Sequence, residues 1–180
     1  MTVRPPQAQL AHVGFYVRDL EGMVAFYTRV LGLVVTDSGD YYLGGRVVFM
    51  SRNAEEHHQV VMASGRAEGS PSTINQISFR VQSLEDLRRF HAALVKEQVK
   101  KMNPRSHGNA WSVYFSDPED NRIEIYTPSP WHVGQPYGQP LDLTEPVEAI
   151  LAKTEAMIRD DPTRSTRTEW MAQMQVRLAQ

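Results

Sequence analysis

A weak self-similarity at an offset of 64 residues constrains the fold of this chain more than any other feature of its sequence. The segment His12–Val17 aligns with Gln76–Val81, and the match continues to Phe26 and Phe90. Each copy opens with alternating apolar residues, which is the period of a β-strand, and then changes to the spacing of an amphipathic helix. The repeat therefore predicts two βα units of the same design.

Capping and turn residues divide both copies in the same way. Asp19 and Ser83 stand where the helices begin, and Gly32 stands where the first helix ends. Strand-like runs follow at 33–37, 46–51 and 57–63 in the first copy and at 99–102, 110–116 and 122–127 in the second. Ser38–Asp40 and Gly44–Gly45 separate the first set as turns. A chance match of two βα segments would not repeat the later strands, so each copy is predicted to be βαβββ.

These patterns predict an α+β protein with one domain at 1–128, built from modules at about 9–64 and 73–128. A proline-rich segment follows, and the tail at 129–180 then carries two amphipathic helices, at 145–159 and 166–178. The tail is expected to wrap around the domain or to form a dimer contact, and a homodimer is the expected assembly.

Composition excludes several classes of function. The chain has 19 basic and 21 acidic side chains without a long run of one sign, so a nucleic-acid partner is not favoured. It has no cysteine, so any metal would be held by His, Gln, Asn or a carboxylate. No apolar run approaches the roughly 18 residues that a membrane span needs, and no apolar leader opens the chain. A cytoplasmic protein is expected.

Strand alternation selects the candidate site residues. If the apolar residues of each strand face the helices, then His12, Gln76 and Glu124 lie on the other face, with Tyr114 close to Glu124. A solvated face would carry Lys, Glu and Thr, whereas these strands offer His, Gly, Gln, Ser and one carboxylate. That composition favours a lined cavity.

Each of these residues also has a structural alternative. His12 could be a hydrogen-bonded buried histidine, and Glu124 could belong to a structural ion pair. His58, beside Glu55 and Glu56, could be solvated, and Tyr114 could be core packing.

The chain resembles the vicinal-oxygen-chelate superfamily, which includes glyoxalase I, fosfomycin-resistance proteins and type I extradiol dioxygenases. The resembling segments are Leu10–Asp19, Phe26–Tyr27, Leu31–Leu33 and Ser112–Tyr126. The resemblance implies two paired modules whose mixed sheet forms a cup, with the helices outside and a divalent metal at its floor. It also implies that the metal ligands are His12, Gln76 and Glu124.

Further positions resemble the extradiol branch in particular. His58, the second of a histidine pair at the start of the first module's last strand, matches the acid/base of ring-cleaving members. Tyr114 matches their active-site tyrosine, and His107 lies in a loop that is often rich in histidine. The resemblance implies that these three residues are catalytic. Val60 stands as the counterpart of Glu124, where glyoxalase I has a second glutamate.

The implied function is cleavage of a small aromatic diol by dioxygen, with Fe(II) as cofactor. Gln76 departs from the two-histidine, one-carboxylate set of extradiol enzymes, because an amide oxygen binds Fe(II) more weakly than imidazole does. Mn(II), Ni(II) or Zn(II) stay open, as does an altered site that recruits His58 or His107. Two other functions also remain: a non-redox lyase or isomerase of the glyoxalase type, and a metal-free cup for an aromatic ligand.

Overall fold

The structure, a computed structural model, describes residue 6 and residues 8–179, and this part of the chain divides into two compact units between Pro71 and Ser72. The first unit contains β1 (Val13–Val17), α1 (Leu20–Leu31), β2 (Val34–Asp40), β3 (Arg46–Ser51) and β4 (Val60–Ser64). The second begins with β5 (Ile77–Arg80), α2 (Leu84–Lys96), β6 (Lys100–Ser106), β7 (Ala110–Ser116) and β8 (Arg122–Pro128). Both copies are βαβββ, which confirms the predicted α+β fold.

The two sheets share one plan. Their strand orders are β1-β4-β3-β2 in the first unit and, once β10 (Gln139–Pro140) of the tail is included, β10-β6-β7-β8-β5 in the second. In each module the first strand lies parallel to the last, whereas the other neighbours are antiparallel. The parallel pairs are in register at Val13 and Val60 and at Ile77 and Ile123. Both sheets are therefore mixed.

Both helices begin, and α1 ends, where the sequence predicts. The Asp19 carboxylate accepts a hydrogen bond of 3.0 Å from the Gly22 N–H, and α1 ends at Gly32 in the left-handed conformation, with φ of 69°. At α2 the Ser83 hydroxyl accepts from the Asp86 N–H at 3.0 Å and donates to its carboxylate at 2.7 Å. Ser83 and Asp86 thus form a variant of a capping box.

The apolar alternation also holds in the second unit. Helix α2 packs against β7 and β8, whose inward residues are almost fully buried: Val113, Phe115, Ile123 and Ile125. Burial of each such side chain contributes about 1.5–3 kcal/mol to stability. A register slip by one residue would expose all four, so Tyr114 and Glu124 are fixed on the opposite face.

The C-terminal tail continues the second unit. After β9 (Trp131–His132) and β10 it contains α3 (Val147–Ile158), β11 (Ser165–Thr166) and α4 (Arg167–Ala179), which confirms the helical extension. Its contact with the sheet includes a hydrogen bond of 2.8 Å from the Trp111 indole to the Thr154 hydroxyl on α3. The division of the chain at residue 128 stays a prediction. No helix in residues 8–179 is both long and apolar enough to cross a membrane.

Two strand predictions were wrong in their bounds. The segment Ser38–Asp40, predicted as a turn, belongs to β2, because a bulge between Val35 and Asp37 keeps the strand paired as far as Asp40. The turn lies instead at 41–45, with both of its glycines at positive φ. Strand β6 runs to Ser106 rather than ending at residue 102, because β7 stays paired with it as far as Ser106 and β10 of the tail pairs with its other edge.

Candidate functional site

A hydrogen-bonded carboxylate lies on the face of the second sheet that does not carry α2. Glu124 is only 7% exposed and accepts hydrogen bonds from the Ser78 hydroxyl at 2.5 Å and the Ser112 hydroxyl at 2.7 Å. The Gln76 amide nitrogen lies 3.2 Å from the same carboxylate and 3.0 Å from the Ser78 hydroxyl. Strand alternation therefore brings Gln76 and Glu124 together, as predicted.

The network leaves part of the carboxylate unused. A carboxylate has about four lone-pair sites. Oε2 of Glu124 accepts from Gln76 and Ser78, and Oε1 accepts from Ser112. Glu124 forms no ion pair with a described basic residue. The alternative prediction, that Glu124 belongs to a structural ion pair, is therefore wrong. The remaining capacity of Oε1 suits a cation or a proton donor.

Tyr114 lies directly opposite Glu124 in the β7–β8 register and is also buried. Its hydroxyl is 2.9 Å from Nε2 of His107, and Nδ1 of that histidine is 2.7 Å from the Tyr137 carbonyl oxygen. A carbonyl can only accept, so in the neutral imidazole Nδ1 carries the proton and Nε2 accepts from the tyrosine. The tail residue Tyr137 thus fixes the orientation of His107, which in turn orients the Tyr114 hydroxyl.

The environment keeps Tyr114 protonated. Burial, followed by the hydrogen-bonding and charge effects of Glu124, raises the pKa of Tyr114 to about 12. The Arg122 guanidinium lies 4.0 Å from the centre of the tyrosine ring and acts in the opposite direction. Tyr114 is therefore a neutral hydrogen-bond donor over the physiological pH range.

The first unit holds two of the predicted histidines together. The rings of His12 and His58 are 4.3 Å apart, and Nδ1 of His58 is 3.0 Å from Nδ1 of His57. His12 is exposed and directly precedes β1, whereas His58 is half-buried beside the Phe49 ring at 5.1 Å. Burial lowers the pKa of His58, and so do the neighbouring His12 and His57, although Glu56 opposes them.

Two predictions about the first unit need correction. His57 and His58 do not start a strand but lie in the loop before β4. The Gln59 side-chain oxygen accepts a hydrogen bond of 2.9 Å from the Arg52 N–H, so the pairing between strands stops there. Val60 is also not the counterpart of Glu124. Val61 pairs with Gly14 as Glu124 pairs with Ser78, so Val61 occupies that position.

The predicted residues therefore form one group in each unit: His12 and His58 in the first, and Gln76, Glu124, Tyr114 and His107 in the second. Within the described residues, no three His, Cys, Asp or Glu side chains form a cluster that could hold a metal. The predicted ligand set includes a glutamine, which lies outside those four residue types.

Sequence reasoning missed three contributors to the second group. Alternation already placed Ser78 and Ser112 on the Glu124 face, so the hydroxyls that bind the carboxylate could have been found. Tyr137 gave no local signal, because its role depends on where the tail packs.

A separate cleft of about 310 Å³ lies between β10 and α3 and contains none of the predicted site residues. Its polar side chains are already paired with one another or with nearby groups: Lys153 forms an ion pair with Glu145, and Asp142 accepts from the Thr144 hydroxyl at 2.6 Å. It offers no converging set of groups for catalysis.

Comparison with known sequences decides the family. Residues 9–125 match the profile of the Glyoxalase/Bleomycin resistance protein/Dioxygenase superfamily. The chain belongs to this superfamily. The match covers β1 to β7 and the part of β8 that includes Glu124.

Two curated members of the superfamily from Rhodococcus globerulus are similar to this chain. Biphenyl-2,3-diol 1,2-dioxygenase 3 is 30% identical over 131 residues, which cover 69% of this chain and 64% of that protein. The match thus spans less than two thirds of that relative. Biphenyl-2,3-diol 1,2-dioxygenase 2 is 25% identical over 172 residues, which cover 86% of each chain.

Solved structures of the superfamily share the fold. A glyoxylase/bleomycin resistance protein/dioxygenase domain from Frankia sp. EAN1pec has a TM-score of 0.59 at 19% identity, covering 69% of this chain and all of that one. The fosfomycin resistance protein FosX from Listeria monocytogenes, solved with Mn(II) and sulfate, has a TM-score of 0.54 at 20% identity, covering 69% and 95%. At these identities the likeness concerns the fold alone.

Proposed function

We propose that this protein is an extradiol dioxygenase that cleaves the ring of a catechol-type aromatic diol with dioxygen. The observation that carries the proposal is the buried Glu124 carboxylate, held by Ser78, Ser112 and Gln76 beside a tyrosine that stays protonated. The similarity to two biphenyl-2,3-diol dioxygenases supports the same class of substrate. The proposed assembly is a homodimer.

We propose that His12, Gln76 and Glu124 hold the metal. Imidazole, amide oxygen and carboxylate form a donor set that suits a divalent cation. Fe(II) is the proposed ion, and Mn(II), Ni(II) and Zn(II) fit the same donors. When bound, the ion would act as a Lewis acid that lowers the pKa of a catechol hydroxyl and would supply the redox chemistry with dioxygen.

His58 is the proposed acid/base. With its Nδ1–H donating to Nδ1 of His57, Nε2 is the atom that would accept a proton from a substrate hydroxyl and later return it. The adjacent Phe49 ring partly excludes water from this imidazole. His58 lies beside His12, so a substrate oxygen close to His12 is also close to this base.

Tyr114 is the proposed donor to a substrate oxygen, to which its single O–H would turn from Nε2 of His107 when substrate binds. A donor aimed at developing charge contributes roughly 3 kcal/mol to transition-state stabilisation. Its pKa of about 12 ensures that the proton is present. His107 acts through Tyr114: its protonated Nδ1 is held by the Tyr137 carbonyl, and its Nε2 fixes the position of the tyrosine hydroxyl.

Anaerobic loading with Fe(II), followed by a panel of catechols in air, tests this proposal. Ring cleavage would produce a yellow muconate semialdehyde, recorded as visible absorbance. His58→Gln should lower kcat by about 10²–10⁴-fold, the usual contribution of a general acid/base. His91→Gln, which changes a histidine of α2 on the helix-covered side of the second sheet, is the matched control and should retain most of the activity. No colour with any catechol, combined with no retained iron, would overturn the proposal.

Metal analysis after gentle purification separates the alternative functions. A lyase or isomerase of the glyoxalase type would work with Ni(II), Mn(II) or Zn(II) and would be indifferent to oxygen. A metal-free binding cup would contain no metal and would bind an aromatic ligand without turnover. The dioxygenase requires retained iron and consumption of dioxygen.

A further inference from the structure

The face of the second sheet that carries Glu124 is strongly positive. Strands β5 to β8 place three arginines on it, Arg80, Arg105 and Arg122, and a single acidic residue, Glu124. Arg122 is engaged with the ring of Tyr114. Neither Arg80 nor Arg105 forms an ion pair with an acidic residue in the described part of the chain.

Arg80 and Arg105 lie in one row across the sheet. Cross-strand register places Arg105 beside Ser112, Ser112 beside Tyr126, and Tyr126 beside Arg80. The adjacent row contains Tyr114 and Glu124. The row therefore has a cation at each end and two hydroxyl groups between them, directly beside the proposed catalytic residues.

The fold does not require these charges. In the first sheet, the row with the same pairing consists of uncharged residues: Gly39, Val47, Ala63 and Tyr16. The two modules keep the same strand order and the same β-bulge without a cation at either end of that row. The arginines of the second sheet are therefore not structural necessities of a βαβββ module.

From this placement we infer that the site takes an aromatic diol with an anionic substituent, a carboxylate, which Arg80 and Arg105 bind. The inference rests on the proposed function for the position of the diol. A guanidinium presents a planar fork of donors that matches a carboxylate, and Tyr126 adds a hydroxyl in the same row. A divalent ion at Glu124 would make the face more positive still, so an anionic substrate would offset charge that a neutral diol leaves uncompensated.

Binding to the metal-free full chain tests the inference without turnover. The probes are 3,4-dihydroxybenzoate and its neutral counterpart 3,4-dihydroxybenzamide, compared by calorimetric titration. A hydrogen bond to a charged group contributes about 1.5–3 kcal/mol, so the carboxylate should bind about 10- to 100-fold more tightly than the amide. Arg80→Gln and Arg105→Gln should each reduce that preference, and the double variant should abolish it.

Three variants control for charge and folding. Arg159→Gln, an exposed arginine outside this face, makes the same change in net charge and should keep the preference. Arg80→Lys and Arg105→Lys should retain part of it, because the positive charge remains. Far-UV circular dichroism confirms that each variant is folded.

Equal affinity for the two probes, or no binding of either, would overturn the inference. So would an equal loss of preference in Arg159→Gln, or competition by inorganic phosphate as strong as by the anionic diol. The proposed function fails differently, since it would show no coloured product and no retained iron whatever the charge preference in the metal-free protein.

Discussion

The faces of the two sheets that do not carry α1 or α2 have the same backbone pairing but different side chains. Register matches their central rows residue by residue: Asp37, Phe49, Val61 and Gly14 in the first, and Asn103, Tyr114, Glu124 and Ser78 in the second. Where the second sheet has a carboxylate flanked by two hydroxyls, the first has valine, phenylalanine and glycine. The histidines of the first unit stand outside its strands, before β1 and before β4.

This difference separates what the fold needs from what a site needs. The first sheet keeps the βαβββ plan with Val61 at the counterpart of Glu124, between Phe49 and Gly14. Burying a carboxylate is unfavourable unless hydrogen bonds compensate, and the second sheet supplies three donors for Glu124. The first unit has the same fold without a carboxylate at this position, so the fold does not require Glu124. This supports a functional role for Glu124.

Removal of the Glu124 carboxylate, the main difference between the two faces, should have the largest effect on stability and on metal binding. In Glu124→Ala the Ser112 hydroxyl, which is fully buried, loses its acceptor where water cannot replace it, and such a group costs about 1–3 kcal/mol. Ser78 and Gln76 are exposed and would regain hydrogen bonds to water. The same change removes one proposed ligand, so retained iron should fall to background. Urea unfolding and metal analysis measure the two effects.

Glu148→Ala is the matched control for that variant, because it removes an exposed carboxylate from α3 and should change stability by less than about 0.5 kcal/mol. If Glu124→Ala unfolded at the same urea midpoint as the wild type, the hydrogen bonds to Glu124 would not stabilise the sheet. Retention of wild-type amounts of iron would remove Glu124 from the ligand set.

Introducing the counterparts of Glu124 and Ser78 into the first sheet tests whether a neighbouring hydroxyl is enough to support a carboxylate. Val61→Glu places a carboxylate at the counterpart of Glu124, beside Phe49 and Gly14, which offer no side-chain donor. Since Val61 is half-buried, we expect a loss of about 1 kcal/mol. Gly14→Ser restores the counterpart of the Ser78 hydroxyl, and its Cβ would meet the Cβ of Val61 at 3.6 Å, an ordinary contact.

The double variant Gly14→Ser, Val61→Glu should therefore be more stable than the two single changes predict together. A hydrogen bond to a charged group gives a coupling of about 1 kcal/mol in a double-mutant cycle measured by urea unfolding. Additive effects would show that a serine at this position does not support the carboxylate. The role assigned to Ser78 would then lose its basis.

Much of this comparison follows from the sequence, because strand alternation depends only on which face is apolar. That rule placed Gln76, Ser112 and Glu124 on one face, and the hydrogen bonds among them agree. Capping at Asp19 and Ser83 was also predictable, since these motifs are local.

The failures arose where distant segments decide the outcome. The offset of 64 residues fits the first strands and the helices, but the last strands are related by 63, so Val60 was matched in place of Val61. A one-residue difference in loop length leaves no periodic signal. The contact of His107 with Tyr137 likewise depends on the tail, whose path the sequence does not specify.

The two helices extend the comparison to the covered faces of the sheets. The 64-residue offset pairs Tyr27 on α1 with His91 on α2, and both side chains are buried. Burial lowers the pKa of His91, although the Asp142 carboxylate opposes this effect. Histidine titrates near pH 6.5 when unfolded, whereas tyrosine does not titrate below about pH 9. Only the second helix should therefore make stability depend on mild acid.

The smallest expected effect concerns this dependence. Since the pKa of His91 is lower in the folded protein, the unfolded chain binds the proton first as pH falls. The stabilising contribution of the neutral side chain is fully present above pH 6.5 and is lost progressively below it, down through the folded pKa. His91→Gln should reduce the fall in unfolding free energy between pH 7 and pH 5, as measured by urea unfolding. Tyr27→Phe, the matched change on α1, should shift the whole curve without altering its slope. An unchanged slope in His91→Gln would mean that another group in the protein carries the acid sensitivity, and the two helices would then not differ in this respect.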